Sequence, residues 1–419
     1  MSGSNGKAAA GEIAAAVARR SYGKLIAFLA ARTRDVAGAE DALSEAFASA
    51  LADWPVKGCP ANPEAWLLTA ARRKMIDGAR RRRTGERASD ELVILAEIME
   101  QGLAEAAMAP QIPDKRLALL FACAHPAIDA GIRAPLMLQV VLGLDAAMIA
   151  SAFLMSPATM GQRLVRAKTK IRQAAVPFRV PEREELAGRL ETVLDAIYAA
   201  FAESWTDPDG TDVARRELAE EALFLGRLVA ELLPREPEAL GLLALMLHAA
   251  GRRRARRNPE GEYVPLAEQD MAAWDSAKIA EAEGLLLQAS ELGVIGRYQL
   301  EAALQSAHVH RRRTGQSNWK HVLALYDALL ALSGSPVVAI NRVLAVAEVQ
   351  GIAAAVALIN GLGRDQQLNE YQPYWAARAE LLARAGESVE ARKAYDIAIG
   401  LEKDASVRRF LQQRQAALG

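Results

Sequence analysis

The sequence predicts an all-α protein, and three observations carry that expectation. Apolar residues recur three and four positions apart through almost every segment; no stretch alternates apolar with polar residues as a half-buried strand does; and the strong helix formers Ala, Leu, Glu and Arg dominate. With 419 residues, 52% of them hydrophobic and 24% charged, the chain is long enough for several domains, each with its own core. Its formal net charge is zero, so any affinity for a polyanion has to come from local clusters. The two cysteines, Cys59 and Cys123, form neither a C-x-x-C pair nor a disulfide framework, which fits a reducing cytoplasm. The N-terminal MSGSNGKAAAGEIAAAV has no apolar core with a cleavage site, so no secretion signal is expected. The most apolar stretch, Ala134 to Met155, is interrupted by Gln139 and Asp145, as in a buried helix and unlike a membrane span.

A first helical unit is expected over residues 10–87. In GAEDALSEAFASALADW one apolar stripe runs through Ala42, Leu43, Ala46, Phe47, Ala50 and Leu51, with Glu40, Asp41, Glu45 and Asp53 off it or at its edges. A loop from Trp54 to Pro63 carries Pro55, Gly58 and Pro60. Asn62 is placed to cap the next helix, with Pro63 in its first turn. An acidic connector follows over 88–113, with Asp90, Glu91, Glu97, Glu100 and Glu105. A second unit spans 114–176, and Pro177 and Pro181 mark its end. Residues 182–419 form a helical extension. Within it Gly351 and Gly386 stand 35 positions apart, each between two helical stretches. Over 372–405, Trp375, Gly386, Ala391, Tyr395 and Ala398 fall at the offsets of a tetratricopeptide unit. The stretch before it, through Ala324, Ala331 and Pro336, fits that template poorly, so an irregular helical domain with one repeat-like hairpin stays open as well.

Basic charge concentrates in two places in the first half. Arg72, Arg73, Lys74, Arg80, Arg81, Arg82, Arg83 and Arg87 are opposed only by Asp77 and Glu86. Such a run is either a solvated helix end or a phosphate-binding footprint with strong salt dependence. The second place is LDAAMIASAFLMSPATMGQRLVRAKTKIR, from Leu144 to Arg172. A short helix ends near Met155, Ser156 is a good N-cap and Pro157 a good first helical residue. In the helix that follows, Met160, Leu164, Ala167 and Ile171 face inward, while Thr159, Gln162, Arg163 and Arg166 face out, with Lys168, Lys170 and Arg172 toward its end. No acidic residue falls between Pro157 and Arg172. This spacing describes a helix-turn-helix whose second helix reads bases first and anchors phosphates farther along, or else a structural hairpin.

In this order, separated by an acidic connector, the two elements resemble regions 2 and 4 of RNA polymerase sigma factors. GAEDALSEAFASALADW resembles the region 2 helix that docks on the β′ clamp, and NPEAWLLTAARRKMIDGARRRR the helix that faces the minus-10 element. ATMGQRLVRAK is similar to the region 4 recognition helix, matching T-V-x-S-R-L-x-R-A-R at Thr159, Arg163, Leu164, Arg166 and Ala167. With no region 1.1 and no region 3 to place, the resemblance is to the extracytoplasmic-function class. FACAHPAI, FRVP, IYAAFAESW, LLALMLHAA, YDALLAL and SPVVAINRVLAVAEVQG extend it to the sigma subgroup with a tetratricopeptide-like C-terminal domain. One departure is Leu154, which stands where many sigma factors have a turn glycine.

The resemblance implies core RNA polymerase, through its β′ clamp and β flap, and promoter DNA as partners, with no cofactor, no metal, no membrane and no enzymatic activity. It implies polymerase contact by Glu40, Asp41, Glu45 and Asp53, and minus-10 contact by Lys57, Asn62, Arg72, Arg73, Lys74, Arg80 and Arg81, the first two toward a flipped base. It implies minus-35 contact by Thr159, Gln162, Arg163, Arg166 and Lys168. Trp66 is expected in the core; Trp54 either packs or stacks on a base. The connector either threads the polymerase cleft or is a solvated linker. In the extension, Arg252, Arg253, Arg254, Arg256, Arg257, Arg311, Arg312 and Arg313 are either solvated or contact DNA or polymerase. The five histidines (His125, His248, His308, His310, His321) are scattered, and no metal site is expected. Helical repeats take peptides or protein segments, so a protein partner for the extension is expected. The competing readings are a helix-turn-helix regulator that works without core polymerase and a tetratricopeptide scaffold.

Overall fold

The structure, a computed structural model, describes residues 2–82, 115–152, 155–203, 213–363 and 368–418. The described chain is all α-helical, with three short 3-10 turns and one isolated bridge between Arg257 and Tyr263. Among the described residues no helix is long and apolar enough to cross a membrane. The contacts divide the chain into two compact units, one of Met1–Ser204 with Val213–Leu225, the other including Gly226–Gly419. The division falls inside a helix, at Leu225.

The first unit holds α1 (Ser2–Thr33), α2 (Val36–Lys57), α3 (Pro63–Arg82), α4 (Arg116–Cys123), α5 (Ala130–Leu142), α6 (Ala146–Ala152), α7 (Pro157–Gln173), α8 (Arg183–Glu203) and the first part of α9 (Val213–Leu232). Asp35 caps α2, its Oδ1 accepting from the Gly38 N–H at 3.0 Å. The buried stripe of α2 is Val36, Ala39, Ala42, Leu43, Ala46, Ala50 and Trp54. Leu51, expected inside, is exposed, because the row that meets α1 and α3 continues from Ala50 to Trp54. α2 also runs through Pro55 to Lys57, so the loop is shorter than expected; the helix stops at Gly58, whose φ of 84° a side chain would resist. Asn62 caps α3 as expected, its Oδ1 accepting from the Ala65 N–H at 3.0 Å.

α4 is buried along its whole length and packs against α1, α5 and α8. α1 lies against α2 and α3 and also against α4 and α5. Gly23 makes this approach possible: a Cβ there would sit 1.7 Å from the Val141 carbonyl oxygen. Gly143, left-handed at φ 70°, ends α5 directly beside the Tyr22 ring. α7 starts as the sequence predicts, with the Ser156 Oγ accepting from the Thr159 N–H at 3.2 Å, Pro157 in the first turn, and Met160, Leu164, Ala167 and Ile171 buried. Leu154, the connector over 88–113, Arg83 and Arg87 lie outside the described residues, and nothing is described of the Arg80 and Arg81 side chains.

In the second unit, α10 (Pro237–Gly251) is apolar on nearly every side and packs on α11 (Ser276–Glu291) and α12 (Arg297–Thr314). Gly241 lets the backbone of Gln299 come within 2.6 Å of where its Cβ would be. Helices then follow in pairs: α12 with α13 (Trp319–Ser333), α14 (Pro336–Val349) with α15 (Ile352–Leu362), and α16 (Gln372–Arg384) with α17 (Ser388–Leu401), closing with α18 (Ala405–Ala416). Gly315, Gly351 and Gly386 sit at the three turns, all at positive φ. Ala391, Tyr395 and Ala398 are buried in the α16–α17 hairpin, at the positions singled out from the sequence.

Candidate polymerase and nucleic-acid interface

The residues expected at the minus-35 element lie on one helix but meet three different fates. Thr159, Gln162 and Arg166 are exposed on α7. Arg163 is half-buried and forms an ion pair of 3.5 Å with Asp129 at the start of α5. Arg163, Arg166 and Lys170 border a cleft of about 340 Å³ floored by Ile128, Ile132 and Ala167. Lys168 does not face out. Its Nζ lies 2.6 Å from the Glu40 carboxylate of α2, with the two side chains only 12% and 13% exposed. One turn farther along α7, Arg172 pairs with Asp35 at 3.6 Å.

The set expected at the polymerase is therefore divided too. Asp41 and Glu45 are exposed, Asp53 is half-exposed, and Glu40 is covered by α7. Burial raises the Glu40 carboxyl above the ordinary carboxylate range, against the opposing pull of Lys168. The Cys123 thiol, fully buried and within reach of both charges, is likewise pushed up, mainly by burial.

In the expected minus-10 set, Arg73 is exposed on α3, while Lys74 pairs with Glu45 at 3.0 Å and Lys57 with Asp53 at 3.0 Å. Asn62 is exposed, but its carbonyl oxygen is engaged in the helix cap. Arg72 is a correction: at 3% exposure it lies on the inward row of α3 with Leu68, Ala71 and Met75 and is out of reach of a phosphate. That row was readable from the spacing of its apolar neighbours. Trp54 is 3% exposed and meets Trp66 edge-on at 5.6 Å, so it packs and does not stack on a base.

Unit two draws its two arginine runs into structure. Arg252 donates to the His248 carbonyl oxygen at 3.2 Å and to Gln305. Arg257 holds Asp404 at 2.8 Å and Ser406 at 2.6 Å, so it fastens α18 to the segment after α10. The Arg311 guanidinium lies 3.9 Å from the Trp319 ring centroid, and Arg312 donates to the Gln269 carbonyl oxygen at 2.9 Å. His248, buried, and His308, half-buried, lie beside these arginines and are pushed down to about 4 by desolvation first and by the neighbouring guanidinium charges second. Among the described residues no group of three or more His, Cys, Asp or Glu side chains is arranged to hold a metal ion.

The helices that carry this interface match a known family. Residues 17–84, which hold the second half of α1, all of α2 and all of α3, match sigma-70 region 2. Residues 189–290 match a family of unknown function (DUF6596). An uncharacterized protein of Rhizobium meliloti (strain 1021) is 37% identical over 377 residues, covering 90% of this chain and 89% of that protein. No solved structure matches. By class, then, this is a protein with a sigma-70 region 2 domain, the kind of domain used in transcription initiation. The chain belongs to the family of that Rhizobium meliloti protein, and it joins an N-terminal sigma-70 region 2 domain to a C-terminal segment of the family of unknown function.

Proposed function

We propose that the protein is an RNA polymerase sigma factor of the extracytoplasmic-function type, working in the cytoplasm without catalytic chemistry of its own. The observation that carries this is the sigma-70 region 2 domain followed, in the same chain, by a capped helix with an outward basic face. Region 2 occupies residues 10–87, the connector 88–113, and region 4 residues 114–176, with α6 and α7 as its helix-turn-helix. Asp41, Glu45 and Asp53, with Glu40 once uncovered, meet the β′ clamp; region 4 meets the β flap. Lys57 and Asn62 line the flipped-base loop, and Arg73, Lys74, Arg80 and Arg81 hold phosphates near the minus-10 element. Thr159, Gln162, Arg163 and Arg166 read the minus-35 element, and Lys168 joins them once it leaves Glu40. Residues 182–419 form a regulatory extension whose helix pairs are tetratricopeptide-like and receive a protein segment. Supporting the repeat reading, Gly315, Gly351 and Gly386 fall at nearly equal spacing, each in a turn between paired helices.

Co-elution of the purified chain with core polymerase is the direct test. A sigma factor co-elutes, whereas a free-standing helix-turn-helix regulator or a scaffold protein emerges separately.

A further inference from the structure

We propose that the junction of α5 and α8 holds a binding site for a small phosphate-class oxyanion, built from His125, Arg133, Arg179 and Arg189. None of these residues has a part in the polymerase or promoter contacts given above, and Arg179 and Arg189 lie beyond residue 176.

Four segments bring the group together. His125 stands in the turn after α4, Arg133 near the start of α5, Arg179 in the stretch before α8, and Arg189 on α8, which packs against α4 and α5. What each side chain already holds decides what it has left to donate. The His125 Nδ1 accepts from the Ala127 N–H at 3.1 Å, so the neutral ring carries its proton on Nε2 and donates from there. Arg133 donates through Nε to the Ile128 carbonyl at 2.8 Å and through one Nη to the Pro126 carbonyl at 3.3 Å, which leaves its other Nη. Arg179 holds both Glu185 oxygens, at 3.1 and 3.0 Å. Arg189 is the enclosed member. It is only 6% exposed and makes no hydrogen bond among the described residues; its ionic partner Glu185 stands 3.6 Å away and is already held by Arg179. A buried guanidinium left in that state is costly until an acceptor reaches it.

The charge points the same way. Three guanidinium groups face one carboxylate, and Glu185 is the one carboxylate that acts on both His125 and Arg189. His125 is pushed down by loss of water first and by the Arg189 charge second. Arg189 is lowered by burial first, with Arg179 and Arg133 acting against the pull of Glu185. An acceptor with about two negative charges balances this set, and a phosphate-class ion brings that charge with several acceptor oxygens. Arg189 is too enclosed for the backbone of a duplex to reach, so the ligand is a free ion or a small phosphate ester. Bound there, it ties the turn before α5 to the first helix of the extension.

Inorganic phosphate is titrated by calorimetry into the full-length chain in phosphate-free buffer, with sodium chloride at matched ionic strength as the control. The expected result is one saturable site with a dissociation constant below about 1 mM. Phosphate also slows hydrogen exchange in the peptides that hold His125 and Arg189. Arg179→Gln, at an exposed position, weakens binding at least about fivefold, whereas Glu185→Gln removes the competing carboxylate and tightens it at least about threefold. A cluster that serves packing alone gives no such gain. Arg189→Gln abolishes binding; should that variant lose helicity, Arg179→Gln and Glu185→Gln decide. Heats that chloride reproduces, protection confined to other peptides, or unchanged affinity in Glu185→Gln overturns the site. If a short DNA duplex displaces the phosphate, the cluster belongs to a promoter surface and the free-ion assignment falls. Neither polymerase nor a promoter enters the phosphate titration, so its outcome stands apart from that of the sigma reading.

Discussion

Lys168→Met keeps the stem and volume of the side chain and deletes its ammonium, leaving Glu40 nearly dry with its α7 partner gone. Removing one member of a buried pair costs about 3–5 kcal/mol. Water still reaches 12% and 13% of the two side chains, which places the loss near the lower end, at about 3 kcal/mol. The sign with pH follows from Glu40, whose carboxyl is raised in the fold, chiefly by burial. A raised carboxyl contributes stability that is fully present below its unfolded value and is lost as pH rises through its folded value. Without Lys168 the folded value climbs further. The variant's deficit against the parent is therefore complete at neutral pH and shrinks as the pH falls through the carboxylate range and Glu40 takes up a proton. Pulse hydrogen exchange across a urea series, read on α2 and α7 peptides at about pH 7 and about pH 4.5, measures it. A deficit under about 1 kcal/mol at neutral pH, or the same deficit at both pH values, refutes this account of the contact.

Arg72→Ala lowers the stability of the first unit and leaves the salt slope of DNA binding unchanged, whereas Arg73→Ala leaves stability unchanged and lowers the slope by about one; denaturation and salt titrations together separate the two. Arg166→Ala weakens minus-35 binding by about 1–3 kcal/mol and relaxes specificity at one position, read by footprinting on single-base promoter variants. Ser156→Ala removes the cap on the Thr159 N–H and costs the α7 segment about 1 kcal/mol, visible as faster exchange in its first turn. His248 and His308 are held down to about 4, so the stability they confer is present above their ordinary value of 6.5 and is lost as pH falls from 6.5 toward 4. Exchange of α10 and α12 peptides across that window checks it.

What could be read from the sequence was local. Ser156, Pro157 and the inward set of α7 were legible because a cap and a 3.6-residue period are written in adjacent residues. The α16–α17 hairpin was legible through Gly386 and its buried partners for the same reason. Arg72 was misread because it stands inside a basic run, and charge density alone does not tell which row of a helix faces in. Pro55 suggested a loop, yet α2 carries it in its last turn. The pairings of Glu40 with Lys168 and of Arg257 with Asp404 were illegible, since they join residues more than a hundred positions apart and depend on how helices meet in space.

The central claim is that this chain directs core polymerase to promoters. Run-off transcription with purified core enzyme on a library of genomic promoter fragments tests it most directly. A defined set of transcripts that appears only when the chain is added, and that shrinks with Arg166→Ala, is the predicted result. Transcripts that are the same with and without the chain would contradict it.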